Sequence, residues 1–147
     1  MKAKEIMKSL IAKYSVALKK DCTYSWTILI IRVVVGVAMM MHGWSKIQSP
    51  MNWMGPEAPV PGVFQALAAI SEFGGGLAWI LGLLTPLASL GMFFTMAVAA
   101  FTHASRGDAF VGAPPTYELA LVYCILSLFM MLNGPGKYSA DYKIFSR

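Results

Sequence analysis

A carboxylate inside an apolar stretch, Glu72, is the feature that most constrains what this chain can fold into. The run from Val63 to Leu84 is otherwise largely apolar, and it is long enough to cross a bilayer because roughly 20 apolar residues suffice. An ionisable group near the centre of such a span costs at least ~2.5 kcal/mol on insertion scales, and such groups face a bundle interior rather than lipid. The sequence therefore predicts that Glu72 points inward and lies at a functional site.

Composition indicates a membrane protein. The chain has 147 residues, of which 57% are hydrophobic and 13% are charged, whereas soluble domains average about 25% charged residues. The net charge of +5 comes mostly from the two ends of the chain. Basic residues placed there suit anionic lipid headgroups better than nucleic acid, so we expect membrane lipid as a partner and no nucleic acid.

Four apolar segments predict four transmembrane helices, and the runs are continuous, unlike the ten-residue alternation of a barrel. We predict an all-α integral membrane four-helix bundle with up-down topology, formed by a single domain of residues 23–147. The predicted spans cover residues 24–44, 63–84, 86–104 and 117–132.

The segment 1–22 is rich in lysine, and its apolar residues recur at helical spacing. It predicts an amphipathic helix on the membrane surface, with a solvated basic tail as the alternative. The loop after the first span carries only Lys46 as a basic residue, and the loop after the third carries only Arg106. Because positive charge favours the cytoplasmic side, we expect both termini in the cytoplasm.

Several ionisable residues should meet inside the bundle. At ~1.5 Å rise per residue, four lie near its outer mouth: His42, Lys46, His103 and Glu118. Glu72 lies near mid-membrane, and Arg32 lies deeper still, within reach of Glu72 if the first two spans are neighbours. Two interpretations stay open: an Arg32–Glu72 ion pair that locks the bundle, and a proton-handling Glu72 beneath a quinone or small-molecule pocket.

Other chemistry at this mouth is less favoured by the spacing. His42, His103 and Glu118 could supply three metal ligands, but they lack a metal-binding spacing, so we predict no metal. Two interpretations of the histidines stay open: polar residues at the bundle mouth that bond to backbone or to Glu118, and a quinone-headgroup or proton-relay role. Gly75 lies in a run of three glycines that permits close helix approach beside Glu72. The same narrow surface would suit a flat ligand ring.

Five short motifs, in order along residues 27–142, resemble those of the DoxX family. They read HGWSKI at 42–47, EFGGGL at 72–77, LGLLTP at 81–86, ELAL at 118–121 and GPGKYSAD at 134–141. The first resembles the family's HG-x-x-K-L/I motif, and the last its GPG-x-x-S-x-D ending. The resemblance implies a small four-helix protein of the bacterial inner membrane, similar to the membrane subunit of thiosulfate:quinone oxidoreductase.

Two hypotheses follow. In the first, the protein is a quinone-linked redox subunit or accessory in which Glu72 exchanges a proton, relayed by three groups, His42, His103 and Glu118. Arg32 or Lys46 would then hold an anionic intermediate, with Gly75 beside the quinone ring. In the second, the protein is a non-enzymatic scaffold or stress-response protein that recruits a soluble oxidoreductase. A sulfurtransferase partner and a homo-oligomer are further expectations; whether the polypeptide is itself an enzyme is left open.

Overall fold

A computed structural model describes residues 22–145 of the chain, and all of its named secondary-structure elements are helices. The predicted amphipathic leader lies almost entirely in residues 1–21, outside the described residues. The elements are α1 (Cys22–Gln48), α2 (Gly62–Ala69), the π-helical turn π1 (Ile70–Gly74), α3 (Gly75–Leu81), α4 (Thr85–Ser105), α5 (Glu118–Asn133) and α6 (Ala140–Phe145).

Three helical stretches are long and apolar enough to cross a membrane, judged by length and composition: Cys22–Gln48, Gly62–Leu81 and Thr85–Ser105. The second is built from α2, π1 and α3 in succession. A fourth apolar helix, Glu118–Asn133, is shorter at 16 residues. The predicted spans match these helices to within a few residues, which confirms a helical membrane protein, while the up-down arrangement across a bilayer stays a prediction.

Neighbouring helices share one apolar core. The second stretch packs between α1 and α4, and α4 packs along α5. The core consists largely of long, flexible or aromatic side chains: Ile28, Met39, Trp79, Met92, Met96, Cys124 and Met130. The opposite faces expose large apolar residues, among them Phe101 at 73% and Val34 at 62%. An apolar surface on this scale is typical of helices that face lipid.

Glycines let α1 and the second stretch approach closely. A Cβ at Gly36 would lie 2.7 Å from the carbonyl oxygen of Gly76, and one at Gly43 would lie 2.6 Å from the backbone nitrogen of Phe73. Because these two glycines are seven residues apart, they lie on one face of α1. Small residues on such a face allow backbone-to-backbone packing, and this contact brings the end of α1 against π1.

The end of α3 is a Schellman motif. Gly82 has φ +64°, and its N–H donates to the carbonyl of Trp79 at 3.1 Å, while the N–H of Leu83 donates to the carbonyl of Ala78 at 2.9 Å. This pattern ends a helix at a residue in the left-handed region, where glycine is favoured. A side chain at Gly82 would also collide with the guanidinium of Arg32.

A buried carboxylate caps the start of α4. Asp141, from the start of α6, accepts the N–H of Leu84 at 2.7 Å with Oδ1 and the N–H of Thr85 at 2.8 Å with Oδ2. Its own N–H donates to the carbonyl of Gly82 at 2.9 Å. A negative charge there satisfies free N–H groups and complements the positive end of the helix dipole.

A buried cation holds the other side of the same corner. The guanidinium of Arg32, which is 0% exposed, donates to the carbonyls of Trp79 at 2.7 Å and Ile80 at 2.9 Å. It also donates to the carbonyls of Pro135 at 2.9 Å and Tyr138 at 2.8 Å. We call Arg32 and these four carbonyls the arginine clamp, because one side chain of α1 joins the end of α3 to the segment before α6.

Of the two interpretations that the sequence left open, the ion pair between Arg32 and Glu72 is wrong. Arg32 is engaged in the arginine clamp, and Glu72 pairs with Lys46 instead. The positions of the two basic residues on α1 explain why Glu72 pairs with Lys46. Lys46 lies 14 residues beyond Arg32, which is about 21 Å along a helix. The motif at residues 134–141 thus serves to close the fold around Arg32 and Asp141.

Candidate functional site

A cavity of about 210 Å³ lies at the end of the bundle where α1 and α4 finish and α5 begins. Four of the seven predicted site residues line it: His42, Lys46, Glu72 and His103. Thr116 and Tyr123 add hydroxyl groups, and the remaining walls are apolar side chains, Met39, Met96, Ala99, Leu119 and Ala120. The structure thus brings these four ionisable residues, which come from α1, π1 and α4, to one cavity.

The central feature of the cavity wall is an ion pair. Lys46 Nζ lies 2.6 Å from Oε1 and 2.7 Å from Oε2 of Glu72. The Glu72 side chain is 3% exposed and that of Lys46 is 24% exposed. Nζ also lies 4.6 Å from the centroid of the Trp53 ring, in cation–π geometry. The ammonium thus offsets the buried carboxylate charge while remaining accessible from the cavity.

Glu72 sits within π1, Ile70–Gly74. Such π turns are rare and often coincide with functional sites, because they displace one residue from the regular helical register. The sequence predicts a continuous helix here and does not predict the π turn. The one local signal is the glycine run that begins at Gly74, since glycine weakens a regular helix.

A second polar pair lies where α4 ends. His103 Nδ1 is 2.6 Å from Asp108 Oδ2, and a turn through Gly107, with φ +80°, brings the two residues together. The N–H of Gly107 donates to Ala104 at 3.0 Å, and that of Asp108 donates to His103 at 3.1 Å. Asp108 is absent from the predicted site. Its only sequence signal is the glycine that precedes it just after a helix end.

The predicted residues outside the two polar pairs occupy different surroundings. His42 is exposed at the cavity edge, and its ring packs edge-on against Tyr123 with centroids 5.9 Å apart. Glu118 is exposed in the first turn of α5, beside the cavity rather than in its lining. Gly75 is buried against α4, where a Cβ would lie 3.2 Å from Met92 Cε. Their chemical roles stay predictions.

The residues considered as metal ligands do not form a cluster. Within residues 22–145, no group of three His, Cys, Asp or Glu side chains is arranged to hold a metal ion. One ring nitrogen of His103 is engaged by Asp108. The arrangement instead suits proton exchange and hydrogen bonding to a small ligand, since it combines a histidine–aspartate pair with an accessible ammonium.

Comparison with known proteins places this sequence in a family. The sequence model of the DoxX family matches residues 27–105, more than half of the chain. The chain belongs to the DoxX family. The matched region contains Lys46, Glu72 and His103, so most of the cavity's ionisable groups lie inside the family match.

Two relatives of this DoxX protein align over most of its length. An uncharacterized protein of Haemophilus influenzae is 32% identical over 120 residues, covering 80% of this chain and 90% of the relative. The inner membrane protein YqjF of Escherichia coli K12 is 31% identical over 121 residues, covering 78% of this chain and 88% of the relative. No solved structure is a significant match. The chain is therefore a DoxX-family membrane protein with an inner membrane protein among its relatives.

Proposed function

We propose that this DoxX-family protein is a quinone-linked redox subunit or accessory of the bacterial inner membrane, with both termini in the cytoplasm. In this proposal the cavity holds the headgroup of a quinone. The single observation that carries it is the Lys46–Glu72 pair, a buried carboxylate bonded to a partly accessible ammonium at the wall of a cavity that His103 also lines.

The size and lining of the cavity suit a small ring. Pockets that bury drug-sized ligands measure about 300–1,000 Å³, so a cavity of about 210 Å³ accommodates a ring and leaves a long isoprenoid tail outside. Met39, Met96 and Leu119 supply apolar contacts for the ring faces. The apolar outer surface of the helices offers the tail a place in the surrounding lipid.

The polar groups match what a quinone requires. A quinone and its hydroquinone interconvert by exchange of two electrons and two protons. Lys46 has three N–H donors, two of which reach the Glu72 oxygens, so the third can donate to a quinone carbonyl or to an anionic reduction intermediate. Glu72 can exchange one proton with the ligand, since its carboxylate lies at the same wall.

The electrons must come from or go to a partner. We propose that a soluble oxidoreductase, or a sulfurtransferase coupled to one, docks on the membrane protein and exchanges electrons with the bound quinone. The chain then contributes the quinone site and the proton path, and the partner contributes the electron donor or acceptor. A homo-oligomer would place more than one such site in each assembly.

A second candidate function is a membrane scaffold that recruits such a partner without binding quinone. One observation favours it: the Lys46–Glu72 pair joins α1 to π1, as the arginine clamp joins α1 to α3 and the segment before α6. On this reading both buried charges serve only to fasten helices. Loss of Glu72 would then lower stability and leave no ligand response to lose.

Titration with short-tailed ubiquinone and menaquinone analogues distinguishes the quinone-binding subunit from the scaffold. Trp53 lies against the Lys46 ammonium, so quinone binding should quench tryptophan fluorescence of the purified protein in nanodiscs. We expect Glu72→Gln and His42→Ala to weaken binding, and Lys46→Met to weaken it about tenfold, the scale of one lost charged hydrogen bond. Glu57→Gln, in the exposed outer loop, is the matched control.

Two results would reject quinone binding. One is no saturable quenching by either analogue in the wild-type protein. The other is unchanged affinity in both Glu72→Gln and His42→Ala. A soluble oxidoreductase that co-purifies from membranes in mild detergent, together with either result, would favour the scaffold.

A further inference from the structure

The turn after α4 places an aspartate against a histidine by a defined backbone pattern. In a Schellman motif the third residue from the helix end and the second residue past it are brought into side-chain contact, usually between apolar groups. Here those positions are His103 and Asp108, joined through Gly107. The contact is a 2.6 Å hydrogen bond between Nδ1 and Oδ2. The motif that ends α4 therefore also forms a histidine–aspartate dyad.

The chemistry of the two groups fixes where the proton lies. An ionised carboxylate can only accept hydrogen bonds, so His103 Nδ1 must carry the hydrogen shared with Asp108. In the neutral ring Nε2 then has a free lone pair and acts as a base. A histidine held by a carboxylate in this way is oriented and fixed in one tautomer, which is how such pairs serve in proton transfer.

The position of the dyad connects the cavity with the outside. His103 lines the cavity, and its side chain is 36% exposed, while that of Asp108 is 17% exposed. The other titratable groups of the lining come from the remaining walls: His42 and Lys46 on α1, Glu72 on π1 and Tyr123 on α5. Arg106 and Glu118 are exposed at the same end of the bundle.

We propose that Asp108 is a positioning residue that makes His103 the base through which the cavity exchanges protons with the aqueous side. The inference rests on the proposed quinone site. When a bound hydroquinone is oxidised, two electrons pass to the acceptor and both O–H bonds break. One proton goes to His103 Nε2 and on to water. The second goes to the Glu72 carboxylate and then leaves to water by way of His103, which restores Glu72, and quinone is released. Reduction of a quinone follows the same steps in reverse.

Nitrogen-15 NMR of the histidine side chains measures the tautomer of His103 without any ligand. The sequence contains only two histidines, His42 and His103, so a His42→Gln spectrum assigns both rings. We expect His103 in the wild-type protein to be the Nδ1–H tautomer. In Asp108→Asn, whose amide can donate to Nδ1, we expect a shift towards the Nε2–H tautomer. A wild-type His103 in the Nε2–H form would overturn the inference whatever the quinone result.

The rate of hydroquinone oxidation tests whether the dyad acts as a base. A short-tailed ubiquinol analogue is oxidised anaerobically by ferricyanide, a soluble one-electron acceptor, in the presence of the full-length protein in nanodiscs. We expect Asp108→Asn and His103→Gln to lower kcat about 100-fold, the lower end of what a positioned base contributes, with KM unchanged. Asp108→Glu should restore part of kcat, and Glu57→Gln should behave as the wild type.

The outcomes distinguish the inference from the proposed function. If the wild-type protein binds neither quinone nor hydroquinone analogue, the proposed function fails and this inference fails with it. If binding is intact but Asp108→Asn and His103→Gln oxidise hydroquinone at the wild-type rate, the inference alone fails and the dyad only ends α4. If Asp108→Asn does not fold, His103→Gln and the wild-type tautomer still decide the question.

Discussion

Replacing Arg32 with methionine removes a buried cation and keeps a long side chain in the space it occupied. Of the four carbonyls in the arginine clamp, that of Trp79 also accepts the N–H of Gly82. The carbonyls of Pro135, Ile80 and Tyr138 lose the guanidinium donor, the first in a fully buried setting and the other two in partly buried ones.

An unsatisfied buried acceptor costs about 1–3 kcal/mol, and partial exposure reduces that cost, so we expect Arg32→Met to lower the free energy of unfolding by about 3–6 kcal/mol. Arg32→Lys should recover only part of this loss, because an ammonium cannot span the fork of acceptors that a guanidinium reaches. Val34→Ala, on the exposed side of the same helix, is the matched control and should change stability by about 0.5 kcal/mol or less.

The assay is reversible unfolding in mixed micelles of mild detergent and increasing SDS, followed by circular dichroism. Limited proteolysis of the segment around residues 134–141 should show in parallel that it detaches in Arg32→Met. A loss below about 1 kcal/mol would refute the reasoning, because it would mean that the cost of desolvating the guanidinium cancels its four hydrogen bonds.

Three further predictions concern stability. Lys46→Met leaves the buried Glu72 carboxylate unpaired and should destabilise the protein by up to about 3–5 kcal/mol. Glu72→Gln should also destabilise it. In a double-mutant cycle the double variant should lose less stability than the sum of the two single variants. Gly82→Ala should destabilise the fold more than Gly55→Ala does in thermal unfolding, since both have positive φ but only the first would clash with neighbours; equal losses would contradict this. Asp141→Asn keeps the shape but weakens the cap, so a loss of about 1 kcal/mol in the mixed-micelle assay is expected, and an unchanged midpoint would count against its capping role.

The apolar spans, and the inward position of Glu72, could be predicted from the sequence because hydrocarbon imposes a strong rule on every ionisable side chain. The partner of Glu72 could not. Depth along a helix follows from the rise per residue, but the direction and reach of a long side chain depend on how the helices pack. The glycine contacts of α1 bring Lys46 to Glu72 and leave Arg32 at the opposite end of the core.

Local backbone geometry accounts for the other parts of the site that sequence reasoning missed. The π turn at Ile70–Gly74 depends on a hydrogen-bond shift of one residue, for which the sequence offers only a neighbouring glycine run. The contact of Asp108 with His103 depends on a Schellman turn that reverses the chain within two residues. The clamp at Arg32 depends on carbonyls, which every residue has, so no side-chain pattern could identify its acceptors.

The arginine clamp has a consequence for how the protein is made. Two of the acceptors of Arg32 lie 103 and 106 residues further along the chain, so the first helix enters the bilayer long before they have been synthesised. Until then a charged side chain in the membrane has only part of its eventual coordination. Nascent chains interrupted before Pro135 should therefore be poorly assembled and preferred substrates for membrane quality-control proteases.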